Sequence, residues 1–264
     1  MVSGESISVG IDQFKLEVVQ AEVFPVYWIN TPDYAAGFRA AKATPEEMQA
    51  EVDRIVQHCE SVDENINVRD AGSARNFLYR NQIGLDCSAF VYHLVDRVLL
   101  ADGRESLQHS LFVPRNSVIS AASKDSWHDE HELTPSEAAE LPEMVPLDWV
   151  CDTFKKEPVF QTNVARLCSA ESSDGIEDLR SVVPGDLVYM TKSGKSKHVA
   201  IVTQVDGNEW EVWDSYREDD GYGGIMPHRV QITDPNAVLQ DQKWTNFDKS
   251  RYDEFSVRRL KALS

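Results

Sequence analysis

From residue 185 onward the chain is built of short runs in which apolar and polar residues alternate: "GDLVYM" (185–190), "HVAIVTQV" (198–205), "WEVWDS" (210–215), "HRVQI" (228–232) and "FSVRRL" (255–260). Period two marks strands, and runs parted only by Gly, Asn, Asp and Pro turns pair as an antiparallel meander. Asp206-Gly207-Asn208 is the turn predicted to close the hairpin between the second and third runs. A sheet of this kind must bury a face against something, and the first half of the chain carries helical patterns that can cover it.

The first pattern begins at Thr44, an N-cap followed by Pro45 and by Glu47 at the capping-box position. Met48, Val52, Ile55, Val56 and Cys59 then recur at helical spacing, which assigns Cys59 to the core. A second helix is predicted from the N-cap Asp86 through Phe90, Val91, Leu94, Val95, Val98 and Leu99 to Asp102-Gly103. Residues 6–29 ("ISVGI", "KLEVV", "VFPVYWI") are β-branched and aromatic and read as short strands, with Pro25 confining its segment to an edge or an irregular stretch. The expected fold class is therefore α+β. Residues 1–70 elaborate the core, and 71–264 form the main domain. An acidic, proline-interrupted insertion at about 118–182 holds two short helices, one opened by Thr134-Pro135-Ser136-Glu137, the other over "PLDWVCDTF".

Charge excludes one class of partner. With 26 Lys and Arg against 44 Asp and Glu, the net charge of −18 repels phosphate backbones, so no nucleic-acid partner is expected. No stretch reaches the roughly 18 apolar residues of a membrane span. The N-terminus lacks the basic start and apolar run of a secretory signal, which favours a cytoplasmic location, although a leader removed upstream would leave the same sequence and an extracellular one. Four cysteines (Cys59, Cys87, Cys151, Cys168) are too sparse for a disulfide scaffold and have no paired metal-ligand spacing, so no metal site is assigned.

Among these thiols, Cys87 is set apart by "GLDCSAF" (84–90), which puts it in the first turn of the second helix. There the helix's positive end favours a thiolate, and unpaired backbone N–H groups can hold a developing oxyanion. A thiol nucleophile also needs a base. His198 is the candidate because it opens an apolar strand directly after a turn, with the small Ala200 beside it on the same face. Asp214, near the end of the next strand, is the polar residue able to orient the ring through its other nitrogen.

"GLDCSAF", "VPRNS", "VPGDLVYM" and "KHVAIV", in this order, resemble the NlpC-type papain-like cysteine peptidases, which cleave peptides of bacterial cell walls. The resemblance spans roughly residues 84–215. It implies a papain-like fold whose nucleophile helix packs on a C-terminal antiparallel sheet, with Cys87 as nucleophile and His198 as base. Asp214 falls where the family has His, Asn or Gln; a one-residue shift would put Trp213 there. Asp86 and Ser88 match residues that hold the free amino end of the substrate in members cleaving after a γ-linked D-glutamate, and Tyr79 stands for the family's upstream tyrosine. The implied activity is a cysteine hydrolase acting on an amide bond of a cell-wall-type peptide, without a cofactor. Two alternatives stay open: a thiol acyltransferase, and a degenerate domain that binds a peptide or a partner without turnover.

Other motifs have plainer readings. "HDEH" (128–131) invites a metal but lies in an acidic loop without a second ligand pair, and "EDDGYGG" (218–224) lacks the alternation of a calcium loop. Lys192, Lys195 and Lys197 form a local positive cluster that keeps a turn soluble or receives a substrate carboxylate. His93, on another face of the Cys87 helix, is expected to be structural.

Overall fold

The structure, a computed structural model, describes residues 3–29, 37–122, 133–217 and 223–264. "HDEH" and residues 218–222 of the acidic loop lie outside them. In chain order the elements are α1 (Gly4–Asp12), β1 (Leu16–Val18), β2 (Ala21–Val23), β3 (Val26–Tyr27), α2 (Pro45–Ser61), α3 (Ala71–Arg80), β4 (Gly84–Leu85) and α4 (Cys87–Ala101). The middle of the chain adds β5 (Phe112–Pro114), α5 (Arg115–Ala122), α6 (Pro135–Glu140), β6 (Met144–Pro146), α7 (Leu147–Phe154), α8 (Pro158–Gln161), α9 (Val164–Leu167) and β7 (Ser173–Ile176). The last third supplies β8 (Leu187–Lys192), β9 (Lys195–Asp206), β10 (Glu209–Tyr216), β11 (Gly224–Gln231), β12 (Lys243–Thr245) and β13 (Glu254–Leu260).

The class is α+β. One large sheet runs in the order β4-β3-β11-β10-β9-β8-β13-β7, with β12 added to β11, and all its pairs are antiparallel except β3 with β4. The five strands expected from the alternating runs are all present. Gly207, at φ 56°, closes the hairpin between β9 and β10, a left-handed conformation that glycine adopts without strain. The capping boxes at Thr44/Glu47 and Thr134/Glu137 form with both reciprocal hydrogen bonds, and α7 covers "LDWVCDTF".

Two expectations are corrected. "ISVGI" is helical rather than extended: Ser3 caps α1, and Ile7, Gly10 and Ile11 form its buried stripe. Tertiary packing overrides β propensity here, because α1 lies on α4 so closely that a Cβ on Gly10 would come within 2.7 Å of Leu94 Cδ1. Cys59 is only half-buried, at the last turn of α2, beside a surface hollow it shares with Ile55 and Phe77.

The sheet separates two cores. On one side α4, buried along almost its whole length, packs with Phe14, Leu187, Val199 and Ile201; Phe14 meets Phe90 edge-on at 5.1 Å. On the other, Val188, Met190, Ala200, Val202 and Val212 are covered by Trp244, Phe247, Tyr252 and Phe255 from the C-terminal segment. "VPGD" is a structural joint. Gly185, at φ 97°, donates to the Val202 carbonyl, and the buried Asp186 receives both Nε and a terminal nitrogen of Arg259, each at 2.7 Å, tying β8 to β13. The segment read as an insertion is woven into this frame: β7 extends the main sheet beyond β13, β6 pairs with β5, and α9 packs on α4 and β9. Among the described residues no helix is long and apolar enough to cross a membrane.

Candidate active site

Strand β4 runs directly into α4. Gly84 makes this approach possible, because a Cβ there would lie 2.3 Å from the Val26 carbonyl oxygen of β3. Asp86 then breaks the strand and caps the helix, accepting from the Ala89 N–H at 2.8 Å. Cys87 begins the first turn, where its own amide and that of Ser88 have no acceptor within the helix. The thiol is 5% exposed, and the helix macrodipole puts partial positive charge around it.

His198 arrives on β9, just after a bulge in which Lys197 is an extra residue opposite the step from Met190 to Thr191. Bulges twist a strand locally and re-aim the side chains beside them. His198 is buried, and its Nε2 bonds Asp214 Oδ2 at 2.7 Å, which leaves Nδ1 as the nitrogen not engaged by the carboxylate; the Cys87 charge acts on the ring. Burial opposes a charge on the imidazole, but the Cys87 and Asp214 charges outweigh it and raise its pKa to about 10. For the fully buried Asp214, desolvation pulls upward, while His228 and His198 together hold the carboxyl below the ordinary carboxylate range.

His228 was not singled out from the sequence. On β11 it faces Val212 of β10, so Asp214 is its diagonal neighbour on the same face of the sheet, and its Nε2 meets Asp214 Oδ1 at 2.9 Å. Asp214 thus has one imidazole on each oxygen. Trp213, the alternative third member, points to the opposite face, where it packs edge-on against Phe24 and donates to Glu211.

The remaining predicted residues fare differently. Asp86 and Ser88 are adjacent to the thiol but already occupied: the Lys42 ammonium lies 3.0 Å from Asp86 Oδ1, 2.7 Å from Ser88 Oγ and 3.1 Å from the Thr162 carbonyl. Lys42 belongs to a segment before α2 that carried no recognisable motif. Tyr79, at the end of α3, is 37% exposed and stands edge-on to Trp28. The rings that sense the Cys87 charge are Tyr27 and Tyr252; burial first, and then the anionic neighbours, push both phenols above their ordinary range. Tyr252 also stacks on His198 at 5.8 Å, with Tyr216 meeting the same imidazole edge-on at 5.7 Å. Together they roof the imidazole.

His93 is structural, its Nε2 bonded to the Lys42 carbonyl at 3.0 Å, and burial lowers its pKa. Lys195 and Lys197 are solvated around the turn between β8 and β9, while Lys192 reaches the Ser250 carbonyl. Among the described residues no group of three or more His, Cys, Asp or Glu is arranged to hold a metal ion. No family model, curated protein or solved structure matches the chain.

Proposed function

We propose that this protein is a papain-like cysteine hydrolase that cleaves an amide bond through Cys87, His198 and Asp214. The reading is carried by one observation: a thiol at a helix start interacts with an imidazole whose far nitrogen is bonded to a buried carboxylate. In the reaction, His198 Nδ1 takes the thiol proton and the sulfur attacks the carbonyl carbon. The amides of Cys87 and Ser88 receive the oxyanion, and the collapsing intermediate expels the amine, which His198 protonates. Water activated by the neutral imidazole then releases the acid and restores the thiol. Asp214 accepts the Nε2–H throughout and holds the tautomer that keeps Nδ1 toward sulfur.

A peptide of the cell-wall type is the proposed substrate class, on the strength of the four sequence blocks. Recognition of a free substrate amine by Asp86 and Ser88 is not part of the proposal, because the chain's own Lys42 fills that position. The test is hydrolysis of muropeptides followed by product analysis, with Cys87→Ala as control. Loss of turnover by about three orders of magnitude or more in a folded Cys87→Ala protein is expected; undiminished turnover refutes the mechanism. Products dominated by transfer to added amines identify an acyltransferase instead, and labelling of Cys87 by an electrophile no faster than that of the half-buried Cys59 favours a binding domain.

A further inference from the structure

His228 is wholly buried, and neither ring nitrogen lacks a partner. Nδ1 lies 2.7 Å from the Asn246 carbonyl oxygen, and Nε2 lies 2.9 Å from Asp214 Oδ1. A carbonyl oxygen and an ionised carboxylate can only accept, so both contacts are hydrogen bonds at once only when the ring carries a proton on each nitrogen. The backbone contributes to this arrangement. Asn246 sits at φ 63°, a left-handed turn of the kind asparagine tolerates, and its carbonyl reaches the ring there. Phe247 covers the same ring edge-on at 5.0 Å.

We propose that His228 is a positioning residue for the Cys87–His198–Asp214 array: held as a cation between Asn246 and Asp214, it fixes the carboxylate's orientation and is its permanent counter-charge. The positioning role rests on the hydrolase reading; the charge state of the ring does not. His198 must become neutral when it protonates the departing amine, and Asp214, with no exposed surface, would then be a buried carboxylate without a cation. Such a group is costly to bury, and the single N–H it still receives from neutral His198 compensates that cost only in part. A second imidazolium that does not take part in the proton traffic removes that difficulty, and it leaves Asp214 ionised through both halves of the reaction.

The groups that bear on this pair come from four elements. Asp214 and Tyr216 lie on β10, with His198 on β9 beyond the carboxylate. Tyr27 of β3 and Tyr252 of the C-terminal segment sense the charge of Asp214, and Arg251 stands over the Tyr216 ring at 5.2 Å.

Nitrogen-resolved NMR of the full-length protein at neutral pH reads the His228 ring directly, in wild type and in Cys87→Ala. Two slowly exchanging ring N–H signals are expected; a single protonated nitrogen overturns the proposal. His228→Gln then keeps a donor toward Asp214 while removing the charge. In that variant Asp214 loses an adjacent opposite charge and protonates more readily, so the acid limb of Cys87 alkylation by iodoacetamide should move upward in pH. A limb that stays in place in a folded variant assigns His228 a purely structural role and overturns the proposal. Neither readout requires turnover: a protein inert toward peptides with a doubly protonated ring and a shifted limb loses the hydrolase reading and keeps this one.

Discussion

Replacing Lys42 by methionine keeps the apolar stem and removes the ammonium that joins Asp86, Ser88 and the Thr162 carbonyl. The side chains of the pair are 11% and 14% exposed, so its charges are largely desolvated. Breaking a buried pair from one side costs about 3 to 5 kcal/mol. Asp86 keeps the Ala89 N–H and the Ser88 hydroxyl, each at 2.8 Å, and retains some contact with water. Together these reduce the expected loss to about 2 kcal/mol. Denaturant unfolding of the wild type, Lys42→Met, Asp86→Asn and the double variant gives the cycle. The double variant should be less destabilised than the sum of the singles, because removing both charges leaves neither stranded. Lys42→Ala carries the argument to the site. It opens a propylammonium-sized gap beside Asp86 and Ser88, so added n-propylammonium should restore both stability and the rate of Cys87 alkylation. Single variants each within about 0.5 kcal/mol of wild type, with no coupling, would refute the idea that an internal ammonium occupies the position next to Cys87.

Three further perturbations test other joints of the structure. The raised pKa of His198, about 10 against roughly 6.5 in an unfolded chain, means that its protonation contributes stability fully below the lower value, lost as pH rises through the upper one. In Cys87→Ala the chief raising charge is gone, so the NMR titration midpoint of His198 should fall; an unmoved midpoint denies the thiol–imidazole pairing. Gly84→Ala drives a methyl group against the Val26 carbonyl and should cost about 1 to 3 kcal/mol while slowing Cys87 alkylation, whereas wild-type values for both would show that β3 and β4 yield easily. Asp186→Ala takes two hydrogen bonds from the Arg259 guanidinium, which keeps the Ser181 carbonyl and some water, and removes the acceptor of the Val183 N–H, so a loss of about 2 kcal/mol in chemical denaturation is expected; a change below about 0.5 kcal/mol refutes a structural role for the joint.

Local signals sufficed wherever the determinant of structure lay within a few residues. The alternating runs gave β8 to β11 and β13, Thr44 and Thr134 announced their helices, and Asp86 before an apolar helical stripe put Cys87 in a first turn. His198 and Asp214 were legible as candidates for the same reason, each being the polar residue at the relevant end of an apolar strand. What could not be read locally was decided by contacts distant along the chain. "ISVGI" became a helix because its Ile7, Gly10 and Ile11 fit the surface of α4, a surface that exists only after folding. Tyr79 is the upstream tyrosine the sequence suggests, yet Tyr27 also senses the thiol, because β3 pairs with the strand leading into Cys87.

His228 and Lys42 belong to the same category. Sequence alone gave the residue types, the caps and the periodicity, because these follow from backbone hydrogen bonding and side-chain shape over one or two turns. Only the tertiary structure gave the β10–β11 register that sets His228 diagonal to Asp214, and the path that carries Lys42 onto the start of α4. Register and long-range ion pairing depend on the burial of charge in a common low-dielectric interior, which no stretch of residues possesses before the chain closes around it.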